Sequence, residues 1–437
     1  MSESAAHMMT LLCSVVRFVP VGTNLALLHL LWILVSGQLL QSRGAIIPGL
    51  VQLGLPDRAV RRAWQALGQG GWSIGQLLVN WETAVGRGGQ WQVRYHGGYC
   101  AVPIDTPGFS RPRLQNCPSK HYDHQAGKAL PAVVLGIIGR VGQVGKQRLL
   151  LPLGLLRVDP AQPQEEGLIQ ALITFAKELL KPQDVLVSDG GFELAALLSA
   201  KMPRYVAKQA RNMTARREQP PAYAGTGRPA ARGALVRPLA RTYKNHTLAA
   251  TAADRSEAWQ EDAVSVQADI WDKLVLNSTR AETLADAPRF TVIGSHDPRF
   301  SKPLVLATNL TLAAQDVRAL YRDRWPVEQV PLAAKQMLGV VRAFVFAKET
   351  CQRLPELALL AGAILSYAAA GLPAIPTGFW DRNPQPTPGR LRRVLAREGF
   401  PTDYPLPPEI RQKASVTDHR PKGSRRFRRI KGSAAPL

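Results

Sequence analysis

Four side chains that could act together on a phosphodiester are spaced along residues 321–335. Tyr321, Arg324, Glu328 and Lys335 follow one another after three, four and seven residues. On an ideal α-helix, which turns about 100° per residue, they fall within a sector about 60° wide. A carboxylate can bind a hard cation, a guanidinium can hold phosphate oxygens in bidentate fashion, and an ammonium adds a point charge. By spacing alone, a solvated helix face stabilised by salt bridges is the favoured interpretation.

The composition indicates a polyanionic partner. The chain has 437 residues and a net charge of +23, which favours nucleic acid and leaves an anionic membrane surface as the alternative. Two apolar stretches, Leu25–Leu40 and Leu357–Leu372, fall short of membrane-spanning helices, so we predict buried helices there and no membrane contact. Arg17, Pro20 and Asn24 interrupt the early apolar stretch, and no clear cleavage site follows. We therefore expect a cytoplasmic, nucleoid-associated protein.

Cysteine and histidine spacing argues against a structural metal or disulfide framework. The four cysteines form no CxxC pair and are widely separated, at positions Cys13, Cys100, Cys117 and Cys351. Reduced thiols are therefore expected. His121 and His124 flank Asp123 and could bind a metal, but no second ligand cluster is visible in the sequence. A structural or surface role is the favoured interpretation for these three residues.

The first 90 residues have helical patterns and include two short helices separated by a tight turn. The first covers Arg43–Gly54, and the second begins at Pro56 or Asp57 and runs to Leu67. Three arginines give the second helix a basic side, and this pair is a helix-turn-helix candidate for DNA binding. An ordinary helical hairpin is equally compatible with the pattern. The arginines concerned are Arg58, Arg61 and Arg62.

The next part of the chain alternates between strand and helix patterns, and two aspartates follow strands. Val, Tyr and Ile are enriched over 92–104, which predicts a strand or hairpin ending at Asp105. Asp189 follows the short apolar segment 184–188. Asp105 could also be a turn residue and Asp189 a helix cap. Strands are further predicted over 131–139, 148–156 and 205–207, and helices over 164–180 and 192–200.

A basic, loop-rich stretch and a second group of strands come next. Ten Lys or Arg stand against the single acid Glu218 between Arg204 and Lys244, a composition suited to phosphate contacts. Strand patterns return over 263–266, 289–293 and 304–307, which predicts a β-rich insertion. The basic residues that we single out for DNA binding are Arg211, Arg216 and Arg217.

The four residues near 321–335 must then be held by helices. A helix is predicted over 312–325, after which Pro326 either begins a new turn or kinks the old one. Pro331 removes a further backbone donor, so the single-face geometry holds only approximately. An apolar helix over 357–371 and a proline-rich stretch over 373–408 follow. The chain ends in a basic tail, whose residues are Arg420, Lys422, Arg425, Arg426, Arg428, Arg429 and Lys431.

The order of the central elements is three strands, helix, strand, helix and strand. This is the order of the α/β RNase H-like fold, a mixed sheet flanked by helices, and here it carries a β-rich insertion and an all-helical N-terminal domain. Its acidic centre would be formed by Asp105, Asp189 and Glu328. We predict a helical DNA-binding domain, a two-part catalytic domain interrupted by the insertion, and a tail, over residues 1–90, 91–211, 212–308, 309–372 and 373–437.

These residues carry a resemblance to a known family. The spacing of Tyr321, Arg324, Glu328 and Lys335 is similar to the Tyr-Arg-Glu-Lys signature of the DDE transposases of bacterial insertion sequences. The flanks Arg-Trp-Pro-Val-Glu and Lys-Gln-Met-Leu-Gly also resemble those of the signature. Finding the aspartate blocks of the family in order before it makes the resemblance more specific, and these blocks are Asp105-Thr106 and Asp189-Gly190-Gly191-Phe192.

The resemblance implies an enzyme that cuts the ends of an insertion sequence and joins them to target DNA. Asp105, Asp189 and Glu328 would hold two Mg²⁺ or Mn²⁺ ions per active site, because oxygen ligands suit these ions. The ions would supply a strong nucleophile and relieve charge on the leaving oxygen, and no protein nucleophile is required.

The resemblance also implies how DNA is held. Tyr321, Arg324 and Lys335 would contact the DNA near the cut. Relatives use a tryptophan from the insertion to stack on a base, and the candidates here are Trp259 and Trp271. The implied partner is double-stranded DNA, as terminal inverted repeats and as target, bound by a homodimer.

Two other functions stay open from the sequence. One is an endonuclease of the RNase H-like fold that cuts DNA without strand transfer. The other is an inactive transposase-derived protein that binds DNA as a repressor. Detection of joined DNA product separates the first from a transposase, and detection of any cleavage separates the second.

Overall fold

A large sheet flanked by helices forms the chain, and this confirms the α/β class predicted from the sequence. The sheet mixes parallel and antiparallel pairs. The basic tail after residue 413 and His124 lie outside the described residues. The computed structural model describes residues 1–413 except 112, 116, 118, 124, 125, 163, 224, 228, 229 and 343.

The first 90 residues are helical, as predicted. Ser2 and Ser73 each cap a helix. The hydroxyl oxygen of Ser2 accepts the backbone N–H of Ala5, and that of Ser73 accepts the N–H of Gln76. The predicted helix pair corresponds to α4 and α5, which are separated by a turn at Gly54 with a positive φ of 74°. The six helices are α1 (Glu3–Val16), α2 (Thr23–Val35), α3 (Gln38–Gln41), α4 (Ile46–Gln52), α5 (Asp57–Gln69) and α6 (Ile74–Gly88).

Eight strands between residues 92 and 208 form the first half of the sheet. Strand β5 pairs antiparallel with β2 and β6, while β2, β7 and β8 are parallel neighbours, in the order β6-β5-β2-β7-β8. Gly97 and Gly98 divide the predicted segment 92–104 by a turn. The strands are β1 (Gln92–Val93), β2 (Cys100–Asp105), β3 (Gly108–Ser110), β4 (Lys120–Asp123), β5 (Lys128–Val144), β6 (Gln147–Arg157), β7 (Asp184–Ser188) and β8 (Tyr205–Lys208).

Two helices between these strands cover the sheet, as the sequence predicted. They are α7 (Glu165–Leu179), which follows β6, and α8 (Leu194–Ser199), which follows β7. Helix α7 packs on β5, where Leu168 and Leu172 lie against Gly136. A Cβ atom at Gly136 would lie 3.4 Å from both leucines, an ordinary packing distance.

The segment that follows prolongs the same sheet. Strand β16 pairs antiparallel with β8, and β15, β14, β9 and β10 continue outward from it. Strand β13 pairs with β14, and β11 and β12 form a separate hairpin. The strands are β9 (Ala215–Arg217), β10 (Leu235–Val236), β11 (Arg241–Tyr243), β12 (His246–Leu248), β13 (Arg255–Glu261), β14 (Val264–Leu276), β15 (Phe290–His296) and β16 (Leu304–Thr308).

The chain over 321–335 is broken at Pro326, as the sequence predicted, so the ideal single helix face does not exist. Helix α9 (Ala314–Arg322) ends before Arg324, and α10 (Pro326–Leu332) begins anew with Pro326 in its first turn. Proline is favoured there because its missing N–H has no partner in the first turn. Pro331 removes another donor inside α10, and the backbone continues as a single π-helical turn over Ala333–Met337.

The apolar helix near the C-terminus is α11 (Lys348–Gly371), and the core is built around it. By length and composition it could cross a membrane, but 83% of its most apolar window is buried inside the protein. It packs on β5 and β6 and on the N-terminal helices α1, α2, α5 and α6. This confirms the prediction of a buried helix. A last helix, α12 (Pro388–Leu395), packs on α11 within the predicted proline-rich stretch.

Candidate active site

Two aspartates lie side by side where parallel strands end. Strands β2 and β7 pair from Cys100 with Asp184 to Pro103 with Val187. Continuing this register residue by residue brings Asp105 level with Asp189. Carboxyl ends of parallel neighbours meet at one edge of a sheet, which is a common position for functional groups.

Local backbone donors hold both aspartate side chains. Asp105 Oδ1 accepts the N–H of Thr106 at 2.9 Å, and Asp189 Oδ1 accepts the N–H of Gly191 at 2.9 Å. The turn use that the sequence left open for Asp105 is therefore partly present, and Asp189 closes a turn through Gly191. Asp189 does not cap the next helix, because α8 begins at Leu194 with Glu193 as its N-cap. These hydrogen bonds leave further oxygen lone pairs on each carboxylate for another partner.

The pKa of Asp105 shows that a third carboxylate belongs to the same site. Burial raises this pKa from 3.8 to about 6, and the charges of Asp189 and Glu328 add to the rise. The N–H of Thr106 and the charge of Arg324 oppose it. Three acids that act on one another in this way concentrate negative charge in a partly buried position.

Arg324 connects the members of the signature. It is only 9% exposed, and its guanidinium lies 5.6 Å from the ring centroid of Tyr321 while it donates a hydrogen bond to Glu328. Burial lowers its pKa, but Tyr321, Glu328 and Asp189 outweigh that effect and raise it. Its Nη1 has no hydrogen-bond partner among the described residues. A buried, charged donor without a partner suits an incoming anion such as a phosphate oxygen.

Lys335 reaches the same site from the π-helical turn. Its Nζ lies 5.3 Å from the ring centroid of Phe109, and its pKa is lowered by burial, against the opposing charge of Asp105. The break after α9 therefore does not separate the signature residues. Tyr321, Arg324, Glu328 and Lys335 come from four consecutive pieces of backbone and still face one region.

Ion pairs with the inserted strands hold α9 in place. Glu257 on β13 accepts the N–H of Ala314 at the start of α9, at 2.7 Å. Glu261, at the end of β13, pairs with Arg318 at 3.3 Å and also with Arg322. Because these contacts join β13 to α9, the strand β13 holds α9 and with it the start of the segment that follows.

Asp323 fixes the other side of the same helix end. Its side chain is 1% exposed and accepts hydrogen bonds from Arg94 at 2.9 Å, His96 at 2.8 Å and Arg148 at 3.2 Å. These partners belong to the segment after β1 and to β6. The residue just before Arg324 is therefore tied to the sheet by charged hydrogen bonds, which are the strong ones.

Sequence reasoning missed a cleft beside the site, which we name the central cleft. It has a volume of about 690 Å³ and contains two well-exposed aromatic residues, Phe300 (64%) and Trp325 (53%). Trp325 belongs to the Arg-Trp-Pro-Val-Glu flank, which was the available signal, whereas Phe300 lies in the turn between β15 and β16. The other residues that give the cleft its character are Arg148, Lys208, Arg211, Lys302, Tyr321 and Arg322.

The two tryptophans singled out from the sequence lie in different environments. Trp271 is 2% exposed and donates its indole N–H to the carbonyls of Thr251 and Ala252. It is a core side chain, so stacking on a base would require it to leave the core. Trp259 is partly buried on β13, and its indole N–H has no partner among the described residues.

The predicted DNA-binding arginines of the insertion are placed differently from one another. Arg211 is exposed and lines the central cleft. Arg216 bonds Asn277 at 2.8 Å, and Arg217 forms a bidentate pair with Asp254 at 2.6 and 2.7 Å. Of the three, Arg211 is the one whose surroundings favour contact with a ligand.

The arginines of the helix pair are spread along the outer side of α5. Arg58 and Arg61 are exposed, and Arg62 is half-buried and donates to Gln412 at 2.6 Å. Arg58 and Arg62 line a surface depression together with Lys413. This side of α5 therefore keeps its positive charge at the surface.

The remaining polar candidates have structural partners. His121 Nδ1 lies 3.4 Å from Glu165, which also accepts the hydroxyl of Thr106 at 2.8 Å. All four cysteines are free in the structure. His121 thus contacts an acid beside the strand that ends at Asp105.

The three carboxylates match the donor preference of a hard divalent cation. Among the described residues, no three His, Cys, Asp or Glu side chains already form a ligand set, and Glu328 is held by Arg324. The donors fit nonetheless, because all are carboxylate oxygens. Burial and, to a smaller extent, the like charges of Asp189 and Glu328 raise the pKa of Asp105, and a cation would offset both effects. Binding would require Glu328 to exchange Arg324 for the ion.

The structure thus brings six sequence-predicted residues into one region and adds an aromatic, basic cleft beside it. The residues brought together are Asp105, Asp189, Tyr321, Arg324, Glu328 and Lys335. Comparison with protein-family models gives no matching family, and comparison with curated proteins gives no matching relative.

Proposed function

We propose that this chain is a DNA transposase that binds the ends of an insertion sequence, cuts the DNA and joins the cut ends to a target. The observation that carries the proposal is the group of carboxylates of Asp105, Asp189 and Glu328. Two of them lie level at the ends of parallel strands, and the charges of Asp189 and Glu328 both raise the pKa of Asp105.

The sheet order supports the finer fold assignment. An RNase H-like domain has three antiparallel strands followed by two strands parallel to the first, and the pairing β6-β5-β2-β7-β8 agrees with that arrangement. In this proposal β2 and β7 deliver the first two acids, and α10 delivers the third. The inserted strands then act as a brace for α9.

Each side chain has a role that follows from its chemistry. Two Mg²⁺ or Mn²⁺ ions held by the three carboxylates would activate the attacking oxygen and neutralise the leaving one. Arg324 is oriented by the Tyr321 ring and presents an unpartnered N–H, so it binds a phosphate oxygen next to the cut. Lys335 adds a positive charge without a fixed direction, which tolerates movement of the phosphate during the reaction.

The charge distribution supports DNA as the partner. The net charge of +23 lies in a chain with exposed arginines on α5 and in the central cleft. Contacts of this kind release counterions, so affinity falls steeply as salt rises. In the proposed complex a homodimer holds double-stranded terminal repeats, with α5 on the duplex and the central cleft next to the cut.

The test combines one variant with one control. Purified protein is incubated with Mg²⁺, a labelled DNA carrying an element end, and a plasmid target. We expect Glu328→Ala to abolish cleavage while DNA affinity stays within about twofold, since the residue contacts the cation and not the DNA. Gln329→Ala, an exposed neighbour on α10, is expected to cut normally. Undiminished cleavage by Glu328→Ala would remove the catalytic assignment.

The same assay distinguishes the two other functions. An RNase H-like endonuclease would cut the DNA and give no joined product. An inactive transposase-derived repressor would bind the DNA and neither cut nor join it. The intact set of three carboxylates favours an active enzyme, and Arg324 and Lys335 beside it favour retention of a DNA strand after the cut, as joining requires.

A further inference from the structure

A turn near the C-terminus displays two aromatic rings to solvent. Phe379 is 96% exposed and Trp380 is 67% exposed, and their ring centroids lie 5.1 Å apart in an edge-to-face arrangement. Exposing two neighbouring large aromatic side chains is costly in water, and such patches commonly mark interaction sites. We name residues 377–381 the aromatic turn.

The aromatic turn is fixed rather than free to collapse. Asp381 accepts hydrogen bonds from both the backbone N–H and the hydroxyl of Thr377, each at 3.0 Å, and pairs with Arg390 at 2.8 Å. The Trp380 ring lies over Gly378, where a Cβ atom would approach it to 2.5 Å. The rings are therefore held outward by polar contacts beneath them, which reduces the entropy lost on binding a ligand.

Arginines surround the aromatic turn. Arg390, Arg393 and Arg397 line a depression with residues 375–377, and Arg393 and Arg397 are exposed. At helical spacing, residues three and four positions apart lie on one face. These three arginines therefore lie on the face opposite Leu391 and Leu395, the buried side chains of α12. We name this depression the arginine cleft. Between residues 379 and 397 the chain has five arginines and one acid.

The aromatic turn is connected to the candidate active site through one hairpin tip. Gln147, at the start of β6, donates to the carbonyl of Pro386, which follows the aromatic turn. The next residue, Arg148, contacts Asp323 and the carbonyl of Arg322 beside the central cleft. The tip between β5 and β6 thus contacts both the segment that carries the aromatic turn and the end of α9.

We propose that the aromatic turn and the arginine cleft bind DNA at a point where bases are unpaired. A base would stack on the Phe379–Trp380 pair, and the arginine cleft would take the adjoining phosphates, the combination that unpaired nucleic acid requires. A second copy of the chain fits this surface poorly, because its own arginines would be repelled. The proposal rests on the proposed function, which supplies DNA that is opened at a cut.

The experiment compares two DNA probes in the absence of divalent cations, so that no cutting occurs. One probe is a fluorescein-labelled duplex, and the other is the same duplex with a gap of several nucleotides in one strand. The test variant is Phe379→Ala/Trp380→Ala in the full chain, which removes exposed rings and leaves the core intact. Phe18→Ala, which removes a ring that is 64% exposed in the turn between α1 and α2, is the matched control.

We expect the double variant to bind the gapped probe about tenfold more weakly or worse, and the duplex within about twofold of the wild-type affinity. Arg393→Ala/Arg397→Ala should weaken gapped-probe binding and reduce its salt dependence. Equal binding of the gapped probe by the wild type and the double variant overturns the inference and leaves the proposed function standing. A wild-type chain that binds neither probe overturns both.

A measurement of mass in solution tests whether a second copy of the chain, and not DNA, binds the aromatic turn. Sedimentation of the DNA-free wild type and the double variant should give the same mass. If the wild type is a dimer and the double variant a monomer, the aromatic turn is an interface between copies, and the DNA assignment is overturned.

Discussion

Replacing a candidate metal ligand should make the protein more stable. Asp105 lies in a partly buried position with Asp189 and Glu328 nearby, and its pKa is raised to about 6 from an ordinary 3.8. The ionised form is therefore disfavoured in the fold. Asparagine has the same shape, can keep the hydrogen bond from the Thr106 N–H, and carries no charge. We expect Asp105→Asn to unfold at higher denaturant concentration than the wild type at pH 7.5.

The size of the effect follows from the pKa. A rise from 3.8 to about 6 corresponds to at most about 3 kcal/mol of unfolding free energy at neutral pH. The sign follows from linkage. Between these two values the unfolded chain releases its proton while the folded chain keeps it, so this group lowers stability as pH rises. The advantage of the variant should be full above pH 6 and should vanish below pH 4.

The assay is urea denaturation without divalent cations, from pH 4 to pH 8. Asp184→Asn is a matched control of opposite sign, because Asp184 is paired with Arg140 at 2.8 Å and its pKa is lowered. Removing that charge leaves the buried guanidinium with Glu82, 3.9 Å away, as its remaining acidic partner, and should cost about 3 kcal/mol. An Asp105→Asn variant that is less stable than the wild type at pH 7.5, or whose advantage does not change with pH, would refute the electrostatic reasoning.

Two further outcomes follow from the same site. Asp323→Asn should lower the unfolding free energy by about 2–3 kcal/mol, because Arg94, His96 and Arg148 lose their shared carboxylate; an unchanged urea midpoint would contradict this. The affinity for Mg²⁺, measured by calorimetry, should fall as pH drops below about 6, because protonation of Asp105 removes a ligand; an affinity that is constant from pH 5 to pH 8 would contradict it.

The strands that position the aspartates could be predicted because buried parallel strands have a simple signal. Residues 184–188 are a continuous apolar run apart from their ends, and the structure gives that strand with the same bounds. The sequence also predicts a strand that ends at Asp105, and β2 ends at that residue. Burial on both faces of the sheet imposes such runs, so hydropathy alone identifies them.

The course of the backbone through the signature could not be predicted in the same way. The single-face calculation assumed an ideal helix, whereas α9 ends at Arg322 and the Pro331 region becomes a π-helical turn. Pro326 is a local signal for the break, but the contacts of Asp323 and Glu261 with distant strands, which hold α9 and the residues after it in place, are not. These partners are far away in sequence, so no local pattern contains them.

The exposure of several aromatic side chains could not be predicted from the sequence either. Phe300, Trp325, Phe379 and Trp380 are large apolar side chains, and a sequence pattern treats such residues as core. Their exposure is decided by tertiary packing, for example by the hydrogen bonds that Asp381 accepts beneath the aromatic turn. Conversely, Trp271, a candidate for base stacking by resemblance, lies in the core.

The central claim is that three carboxylates bind the divalent cations that cut DNA. Its most direct test is electron paramagnetic resonance of Mn²⁺ titrated into the DNA-bound protein, comparing the wild type with Glu328→Ala and Asp105→Asn. The account predicts about two bound Mn²⁺ per wild-type chain and loss of bound Mn²⁺ in both variants. Equal Mn²⁺ binding by all three proteins would contradict it.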